Sequence, residues 1–491
     1  MDRVSTGIAE LDEILAGGLP AGSLAVLAGP PGTGKTILAQ QLAFSASTDD
    51  RPALYYTTLS ESHAKMRRHL SSLEFYDDTK LDGAVRFLHV TELLQGATED
   101  QRGLEGFFDE VLQAAFDQNP SLIVVDSFKA LHHFVTDNRM REAVFDLASK
   151  VSHTGALLLL VGEYTEREIL EAPEFAVADA ILEVSHDIGG PVDRRYLRVR
   201  KLRGSSSLMG KHAFTISQKG YELYPRPESL APQPPAIGGA RRAFGTEVLD
   251  RMTDGGLPPG EATLIMGPSG AGKTVLSSEW VSDGLARGEK CLFVSFEESS
   301  AQLRAKAETF GWAWNEAVER GDLTLIHTPP IELDIDALAH RVRELVEEHD
   351  ITRVVFDSLG ELVPVSSDLG RSPGFIWALA TTVTATGASL VFTQETTALG
   401  PTEARFAKLS YLFHNVLVLR YMEVGAEVGR ALMVLKMRES DHEKRLASYE
   451  ITDQGFEVVG SVAGADGILG GPSLRADDID GVDESGWDEE E

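Results

Sequence analysis

Residues 29–36 read Gly29-Pro30-Pro31-Gly32-Thr33-Gly34-Lys35-Thr36, and residues 267–274 read Gly267-Pro268-Ser269-Gly270-Ala271-Gly272-Lys273-Thr274. Each stretch follows an apolar run and precedes a helical pattern. In a glycine-rich loop between a strand and a helix, successive backbone N–H groups point into one concave site and bind phosphate. Glycine is needed because side chains would block the phosphates and because some positions need a positive φ. The two stretches therefore predict two binding sites for a nucleoside triphosphate.

The residue types within these loops predict individual roles. Lys35 and Lys273 are expected to contact the β- and γ-phosphates, and Thr36 and Thr274 are expected to bind Mg²⁺. The full set of predicted nucleotide contacts is Gly32, Thr33, Gly34, Lys35 and Thr36 in the first loop and Gly270, Ala271, Gly272, Lys273 and Thr274 in the second.

The two loops belong to a long internal repeat. Lys273 follows Lys35 by 238 positions (273 − 35), and the same offset relates the Gly-Gly-Leu-Pro run at 17–20 to that at 255–258. A repeat of this length is two copies of a whole domain rather than a short structural unit.

Composition divides the chain into two domains and a tail. Residues 229–240 are rich in proline and glycine and are predicted to form a linker between a first domain, 1–228, and a second, 241–462. The tail, 463–491, is expected to be disordered, because its last part, 477–491, has nine acidic residues and no basic one.

Each half has short apolar strands in the same order, separated by helical patterns. The predicted strands are 24–28, 53–57, 122–126 and 157–161 in the first half, and 263–266, 291–295, 354–357 and 389–393 in the second. Unbroken apolar strands alternating with helices indicate a mostly parallel sheet covered by helices on both faces. The predicted fold is therefore two tandem α/β domains with the nucleotide at the carboxyl edge of each sheet.

The overall composition restricts the possible partners. The chain is 43% hydrophobic and 25% charged, has one cysteine, Cys291, and carries a net charge of −31. This charge disfavours nucleic acid as a partner, because phosphates would be repelled. No apolar run reaches the length of about 18 residues that a membrane helix needs, and the N-terminus lacks the pattern of a signal peptide. We therefore expect a cytoplasmic protein without a membrane partner.

An aspartate ends one apolar strand in each half. Asp126 and Asp357 are each followed by serine, and each strand is expected to lie beside the strand that enters the phosphate loop. A carboxylate at this place can hold Mg²⁺ through its water shell. The predicted metal site is therefore Thr36 with Asp126 in the first half and Thr274 with Asp357 in the second.

Acidic residues after the second strand of each half are candidates for activating water. The second half contains Glu297 and Glu298, whereas the first half has Ser60 followed by Glu61. Neighbouring carboxylates raise the pKa of one partner, which suits a general base near neutral pH. We predict catalytic roles for Glu297, Glu298 and Glu61; the alternative is that they are solvated acids at the start of a helix.

A basic triplet occurs near the end of each half. Lys201 and Arg203 flank a leucine, and Lys436 and Arg438 flank a methionine. Alternation along a strand places both cations of a triplet on one face. On a chain this acidic, such a face suggests an anionic partner; the alternative is an exposed edge with cross-strand ion pairs.

These features together resemble the KaiC family over about residues 1–460. The resemblance rests on two RecA-like halves, on Gly-Gly-Leu-Pro before each loop, on Phe296-Glu297-Glu298 and on the run from Lys201 to Ser206. It implies a double-domain P-loop ATPase that binds Mg-ATP at subunit interfaces and assembles into a two-tiered homohexamer with a signalling or regulatory role. It also implies that Lys201, Arg203, Lys436 and Arg438 contact the γ-phosphate of a neighbouring subunit.

The resemblance further implies a possible phosphoacceptor. The clock member of the family phosphorylates itself on a Ser-Thr pair, and the matching positions here are Ser410 and Tyr411. The threonine is replaced, which puts a clock-type phosphorylation cycle in doubt. Ser410 is the remaining candidate acceptor, and the alternative is a serine that only hydrogen-bonds locally.

Two other functions share this predicted core. One is a DNA-dependent ATPase that resembles RecA or RadA, which predicts salt-sensitive binding to single-stranded DNA. The other is a scaffold in which the first half holds ATP without hydrolysing it. On the residues alone, the second half is the better equipped to hydrolyse ATP, because it has two adjacent glutamates where the first half has one.

Overall fold

The computed structural model describes residues 2–58, 63–90, 102–134, 136–188, 192–232, 238–368, 370–396, 410–424, 427–438 and 440–461. The chain divides into two compact units, Met1–Ser229 and Leu230–Glu491, here called unit 1 and unit 2.

The elements of unit 1 follow the order expected of an α/β domain. Its strands are β1 (Arg3–Val4), β2 (Leu19–Pro20), β3 (Leu24–Gly29), β4 (Ala53–Thr57), β5 (Val85–His89), β6 (Leu122–Asp126), β7 (Leu157–Glu163), β8 (Ala180–Asp187), β9 (Arg194–Leu202), β10 (His212–Ser217) and β11 (Gly220–Tyr224). Its helices are α1 (Ala9–Ile14), α2 (Lys35–Ala46), α3 (His63–Leu70), α4 (Arg102–Gln118), α5 (Asp137–Ser152), α6 (Glu166–Glu171) and α7 (Pro173–Val177), with α8 (Pro227–Leu230) at the boundary between the units.

Unit 2 repeats this order. Its strands are β12 (Ala262–Gly267), β13 (Lys290–Ser295), β14 (Leu323–His327), β15 (Ile351–Asp357), β16 (Ser389–Glu395), β17 (Asn415–Val424), β18 (Glu427–Met437), β19 (Ala447–Thr452) and β20 (Gly455–Ser461). Its helices are α9 (Glu247–Met252), α10 (Lys273–Ala286), α11 (Ser300–Thr309), α12 (Trp314–Arg320), α13 (Ile335–Glu348), α14 (Leu359–Asp368) and α15 (Gly374–Ala385).

Each unit is built on a nine-stranded, mostly parallel sheet. The strand order is β5-β4-β6-β7-β3-β8-β9-β10-β11 in unit 1 and β14-β13-β15-β16-β12-β17-β18-β19-β20 in unit 2. The first six strands of each order are parallel, and the last three join antiparallel. The two sheets thus have the same topology, and the predicted α/β fold is confirmed.

The loop strands are apolar at nearly every position because helices cover both faces of the sheet. Every residue of β3 is buried. Ala25 and Leu27 pack in one core with residues of α1 and α2, whereas Leu24, Val26 and Ala28 pack in a second core with residues of α4 and α5. Alternate side chains of β3 thus pack into two cores on opposite faces of the sheet. The carboxyl edge of the sheet remains available for the site.

The position of the aspartate strands differs from the prediction. Asp126 and Asp357 were expected on strands beside the loop strand, but β7 lies between β3 and β6, and β16 lies between β12 and β15. The expectation of adjacency was wrong because strand order depends on how each crossover returns to the sheet, which local patterns do not encode. The residues still meet, because α2 and α10 pack across the intervening strands.

A buried arginine fixes β15, the strand that ends at Asp357. The Arg353 side chain is fully buried, and its guanidinium donates to both carboxylate oxygens of Glu289 (2.7 and 3.0 Å), to Asp283 Oδ2 (3.2 Å) and to the carbonyls of Ala243 and Trp280. Burial by itself would raise the pKa of Glu289, but the hydrogen bonds and charge of Arg353 bring that pKa below its usual value. The network joins β15 to the loop helix α10.

We expect Arg353→Met to destabilise unit 2 by about 3 kcal/mol, since it removes the fully buried partner of Glu289 and Asp283, which then pair with Arg242 and with the exposed Arg287. All five tryptophans of the chain follow residue 279, so tryptophan fluorescence during denaturant unfolding reports on this part of the chain and not on residues 1–229. Arg287→Met is the matched control: Arg287 pairs with the same Asp283 but is exposed, and its loss should cost less than about 1 kcal/mol. Equal effects of the two variants would contradict the assignment.

Among the helices of the described ranges, none combines the length and apolar composition needed to cross a bilayer.

Cys291 is buried, and burial raises the pKa of its thiol to about 12, consistent with a core residue.

Candidate active sites

The two phosphate loops connect a buried strand to a helix in the same way. In unit 1, β3 ends at Gly29 and α2 begins at Lys35, with Gly34 at φ 84° as the residue before the helix; Gly272 has φ 94° at the matching place in unit 2. An added Cβ at Gly34 would collide with Ile216, and one at Gly272 would lie 2.6 Å from a side-chain carbon of Ile451. The positive φ therefore favours glycine at both positions, and a larger residue would also have to displace an isoleucine side chain.

The ammonium group of each loop lysine hydrogen-bonds to carbonyls of its own loop. Lys35 Nζ donates to the carbonyl of Pro30 at 2.7 Å, and Lys273 Nζ donates to the carbonyls of Gly267 and Pro268 at 3.0 and 2.9 Å. Burial lowers the pKa of both lysines. The ammonium groups thus lie within the ring of loop atoms that the motif assigns to phosphate.

In each unit the loop threonine meets the strand-end aspartate. Thr36 Oγ1 donates to Asp126 Oδ2 at 2.8 Å, and Thr274 Oγ1 donates to Asp357 Oδ2 at 2.7 Å. Mg²⁺ prefers hard oxygen ligands such as hydroxyl and carboxylate groups. In each unit the threonine hydroxyl and the aspartate carboxylate lie together beside the phosphate loop, so these residues fit the ion. The predicted pairs are brought together in both units.

The surroundings of the two aspartates differ. Asp126 also accepts a hydrogen bond from the hydroxyl of Tyr55 at 2.7 Å, whereas Asp357 accepts one from Thr393. Burial raises the pKa of Asp126, and the hydrogen bonds from Tyr55 and Thr36 oppose that rise. The peptide bond after each aspartate is cis.

Two further acids were not singled out from the sequence. Glu163 and Glu395 end β7 and β16, the strands between the loop strand and the aspartate strand, and each is the carboxylate that most raises the pKa of its unit's loop lysine against burial. The predicted strands stopped two residues short of them. The signal was available, because an acid recurs at this point in both halves.

Glu297 and Glu298 have different surroundings, although they are adjacent. Glu298 Oε1 forms an ion pair with Lys306, and its backbone N–H donates to Ser295 Oγ at 3.1 Å. The pKa of Glu297 is raised by burial and, next, by Asp357 and other nearby carboxylates. Glu297 also acts electrostatically on Lys273. Of the two, Glu297 is thus the acid with the raised pKa and the electrostatic effect on the loop lysine, and its side chain is exposed.

Counted along the sequence, the residue of the first half that matches Glu297 is not an acid, and it lies outside the described residues. The N–H of Thr58 donates to the carbonyl of Asp126 at 2.8 Å, as that of Phe296 donates to the carbonyl of Asp357 at 3.1 Å, so these residues correspond. Counting on by one matches Leu59 to Glu297, and a one-residue insertion would match Ser60 instead. Glu61, the predicted acid of this half, lies outside the described residues.

The basic triplets lie at the ends of equivalent strands. Lys201 is on β9 and Lys436 on β18; the pKa of each is lowered by burial and then by the arginine of its own triplet, so each pair of cations lies close together. Arg203 forms an ion pair with Asp179 at 3.2 Å, and Lys436 Nζ donates to the carbonyl of Phe413 at 2.6 Å.

The candidate phosphoacceptor lies at the start of a short helical turn. Ser410 is the first residue of the 3₁₀ turn Ser410–Leu412, but its side chain is outside the described part of the structure. The following residue, Tyr411, is exposed.

Comparison with known proteins agrees with this duplicated geometry. The family model "ATPase: KaiC" matches twice, over residues 4–228 and 243–462. The chain is 28% identical to a "Circadian clock oscillator protein KaiC" of a Picosynechococcus species, over 97% of this chain and 93% of that protein. It is also 28% identical to a "Circadian clock protein KaiC3" of a Synechocystis species, over 96% of this chain and 95% of the relative. Two RecA-like P-loop domains in tandem, each matched by the family model, show that the chain belongs to the KaiC family of ATPases.

Proposed function

We propose that this ATPase binds Mg-ATP in both units and hydrolyses it mainly in unit 2, within a ring of identical subunits. The observation that carries this proposal is a difference between two units that otherwise have the same arrangement of site residues. Both units pair a loop threonine with a strand-end aspartate. After the second strand, however, unit 2 has Glu297, an acid with a raised pKa that acts on Lys273, where counting along the sequence from Thr58 gives Leu59 or Ser60 in unit 1.

Each residue has a defined task in this proposal. Backbone N–H groups of the loop and the ammonium of Lys273 bind the β- and γ-phosphates. Thr274 and Asp357 would hold Mg²⁺, which would supply positive charge against the phosphate oxygens. Glu297 accepts a proton from water as the water oxygen bonds to the γ-phosphorus and the bond to ADP breaks. A carboxylate whose pKa is raised is a stronger base, so the raised pKa of Glu297 supports this role.

The second candidate function concerns unit 1. Lys35, Thr36 and Asp126 suffice to bind Mg-ATP, but Leu59 or Ser60 stands where unit 2 has Glu297. Unit 1 would then hold ATP with slow turnover and act as a nucleotide-dependent scaffold. Glu61 is the residue that would supply catalysis there, and Glu61→Gln should leave turnover unchanged if unit 1 is a scaffold.

Assembly into a homohexamer follows from the resemblance to the KaiC family and would give the basic triplets an anionic partner. Lys201, Arg203, Lys436 and Arg438 would contact the γ-phosphate bound by the neighbouring subunit, in the manner of a trans-acting arginine. The names of the relatives refer to a circadian clock, which favours a regulatory or signalling role with a protein partner. Ser410 would be the acceptor if the chain phosphorylates itself.

We expect the mass of the protein in solution to rise to that of a closed ring when Mg-ATP is added. Mass measurement with and without nucleotide tests assembly, and intact-protein mass followed by phosphate mapping tests Ser410. A single subunit mass in saturating Mg-ATP would contradict the ring, and phosphate at another residue would contradict Ser410. A DNA-dependent ATPase remains the competing function. It requires turnover stimulated by single-stranded DNA, which the net charge of −31 disfavours.

A further inference from the structure

A stacked aromatic pair lies beside the phosphate loop in each unit, on the last hairpin of the sheet. In unit 1, Phe214 on β10 stacks on Tyr221 on β11, with ring centroids 4.4 Å apart. In unit 2, Tyr449 on β19 stacks on Phe456 on β20 at 4.2 Å. The ring positions correspond between units, because both are offset by 235 residues (449 − 214 and 456 − 221). The tyrosine, however, has changed strands.

Despite this exchange, the hydroxyl contacts the same atom of the loop in both units. Tyr221 donates to the carbonyl of Thr33 at 2.8 Å, and Tyr449 donates to the carbonyl of Ala271. Thr33 and Ala271 each lie two residues before the loop lysine. Burial raises the pKa of both tyrosines, so the hydroxyls stay protonated and able to donate. Ring packing alone would not require a hydroxyl group next to this carbonyl. The hydroxyl is nevertheless present in both units, on one ring of the pair in unit 1 and on the other ring in unit 2.

The carbonyl that accepts this bond controls one of the N–H groups of the anion site. In a trans peptide the C=O and the following N–H point in opposite directions. Holding the carbonyl of Thr33 toward the hairpin therefore holds the N–H of Gly34 toward the phosphates, and Ala271 does the same for Gly272. Both glycines have a positive φ, and glycine opposes rotation of its peptide less than any other residue.

A second contact attaches the hairpin independently of the hydroxyl. The N–H of Tyr221 donates to Gln41 Oε1 at 2.9 Å, and the N–H of Phe456 donates to Glu279 Oε2 at 2.6 Å. Gln41 and Glu279 each lie six residues after the loop lysine, on the loop helix. Removing a hydroxyl should therefore leave the hairpin docked and change only the loop peptide.

We propose that Tyr221 and Tyr449 are positioning residues that hold one loop peptide in the orientation that binds ATP phosphates. The inference rests on the proposed binding of Mg-ATP at both loops. The inference also connects the last hairpin of each sheet directly to the phosphate loop. This hairpin follows the strand that carries the basic triplet.

The test measures Mg-ATP binding by the full chain with two sites resolved. Tyr449→Phe should weaken binding at unit 2 by roughly 3- to 10-fold, the range for one lost hydrogen bond, and leave unit 1 unchanged. Tyr221→Phe should do the converse. In turnover assays, Tyr449→Phe should raise KM more than it lowers kcat, because the loop N–H binds the ground state as well as the transition state.

The exchange between units supplies a rescue. Tyr449→Phe combined with Phe456→Tyr moves the hydroxyl to the ring that carries it in unit 1 and should restore affinity to within about twofold of the wild type. Tyr56→Phe is the control for removing a buried hydroxyl elsewhere, since the Tyr56 hydroxyl has no hydrogen-bond partner among the described residues. It should change neither affinity.

Each outcome decides one question. A wild type that binds no Mg-ATP would overturn the proposed function itself. A wild type that binds two, with both affinities unchanged in Tyr449→Phe and Tyr221→Phe, would overturn only this inference. So would a double variant as weak as Tyr449→Phe, because the loss would then come from ring packing. Thermal unfolding of each variant identifies any global loss of folding.

Discussion

Glu297→Gln is expected to lower ATP turnover by about 10²- to 10⁴-fold while leaving Mg-ATP binding intact, because it removes the general base and keeps the shape of the side chain. The raised pKa of Glu297 and its electrostatic effect on Lys273 favour it over Glu298 as the base. Steady-state phosphate release, with binding measured separately by calorimetry, checks both halves of the prediction.

Glu298→Gln is the matched control. Glu298 is the neighbouring residue of the same type, but its carboxylate is committed to Lys306. Its loss should change turnover by about tenfold or less, through the position of the loop rather than through proton transfer. If Glu298→Gln were the more damaging change, the assignment of the base to Glu297 would be wrong. Turnover that survives in Glu297→Gln measures the contribution of unit 1.

Lys273→Ala should nearly abolish ATP binding at unit 2, and turnover with it. The ammonium is buried in the loop, and truncating one partner of a buried charged contact costs about 2–5 kcal/mol, or roughly 30-fold or more in affinity. Calorimetry of the full chain should then find one Mg-ATP site in place of two. Trp280 lies on the loop helix of unit 2, so tryptophan fluorescence should also lose its response to nucleotide.

Lys35→Ala is the matched variant in unit 1. It should likewise remove one site but leave most of the turnover, because the residue of unit 1 that matches Glu297 along the sequence is Leu59 or Ser60, neither of which is an acid. Comparable losses of turnover in the two variants would show that unit 1 hydrolyses ATP as well. The masses of both variants in Mg-ATP then reveal which site holds the ring together; we expect Lys273→Ala to destabilise the ring.

The chemistry that depends on contiguous residues was predictable from the sequence. A phosphate loop is eight consecutive residues between a strand and a helix, so its lysine and threonine are recognisable without tertiary information. The aspartates could be found because each ends an unbroken apolar strand. The loops and the Gly-Gly-Leu-Pro runs recur at one offset, which predicted that the fold is duplicated. Two copies of one sequence pattern imply two copies of one topology.

Other features were decided only by the tertiary structure. The strand between the loop strand and the aspartate strand, and with it Glu163 or Glu395, depends on the return path of each crossover. The difference between Glu297 and Glu298 depends on Lys306, which lies on another element.

The tyrosines that hold the loop peptides lie 188 and 178 residues from the carbonyls they contact. No local pattern relates residues so far apart, because hydrogen bonds of this kind form between side chains and backbone that only the folded sheet brings together. The sequence by itself thus indicated which groups are proposed to bind phosphate and magnesium. The tertiary structure decided which groups orient them, because orientation depends on contacts between distant parts of the chain.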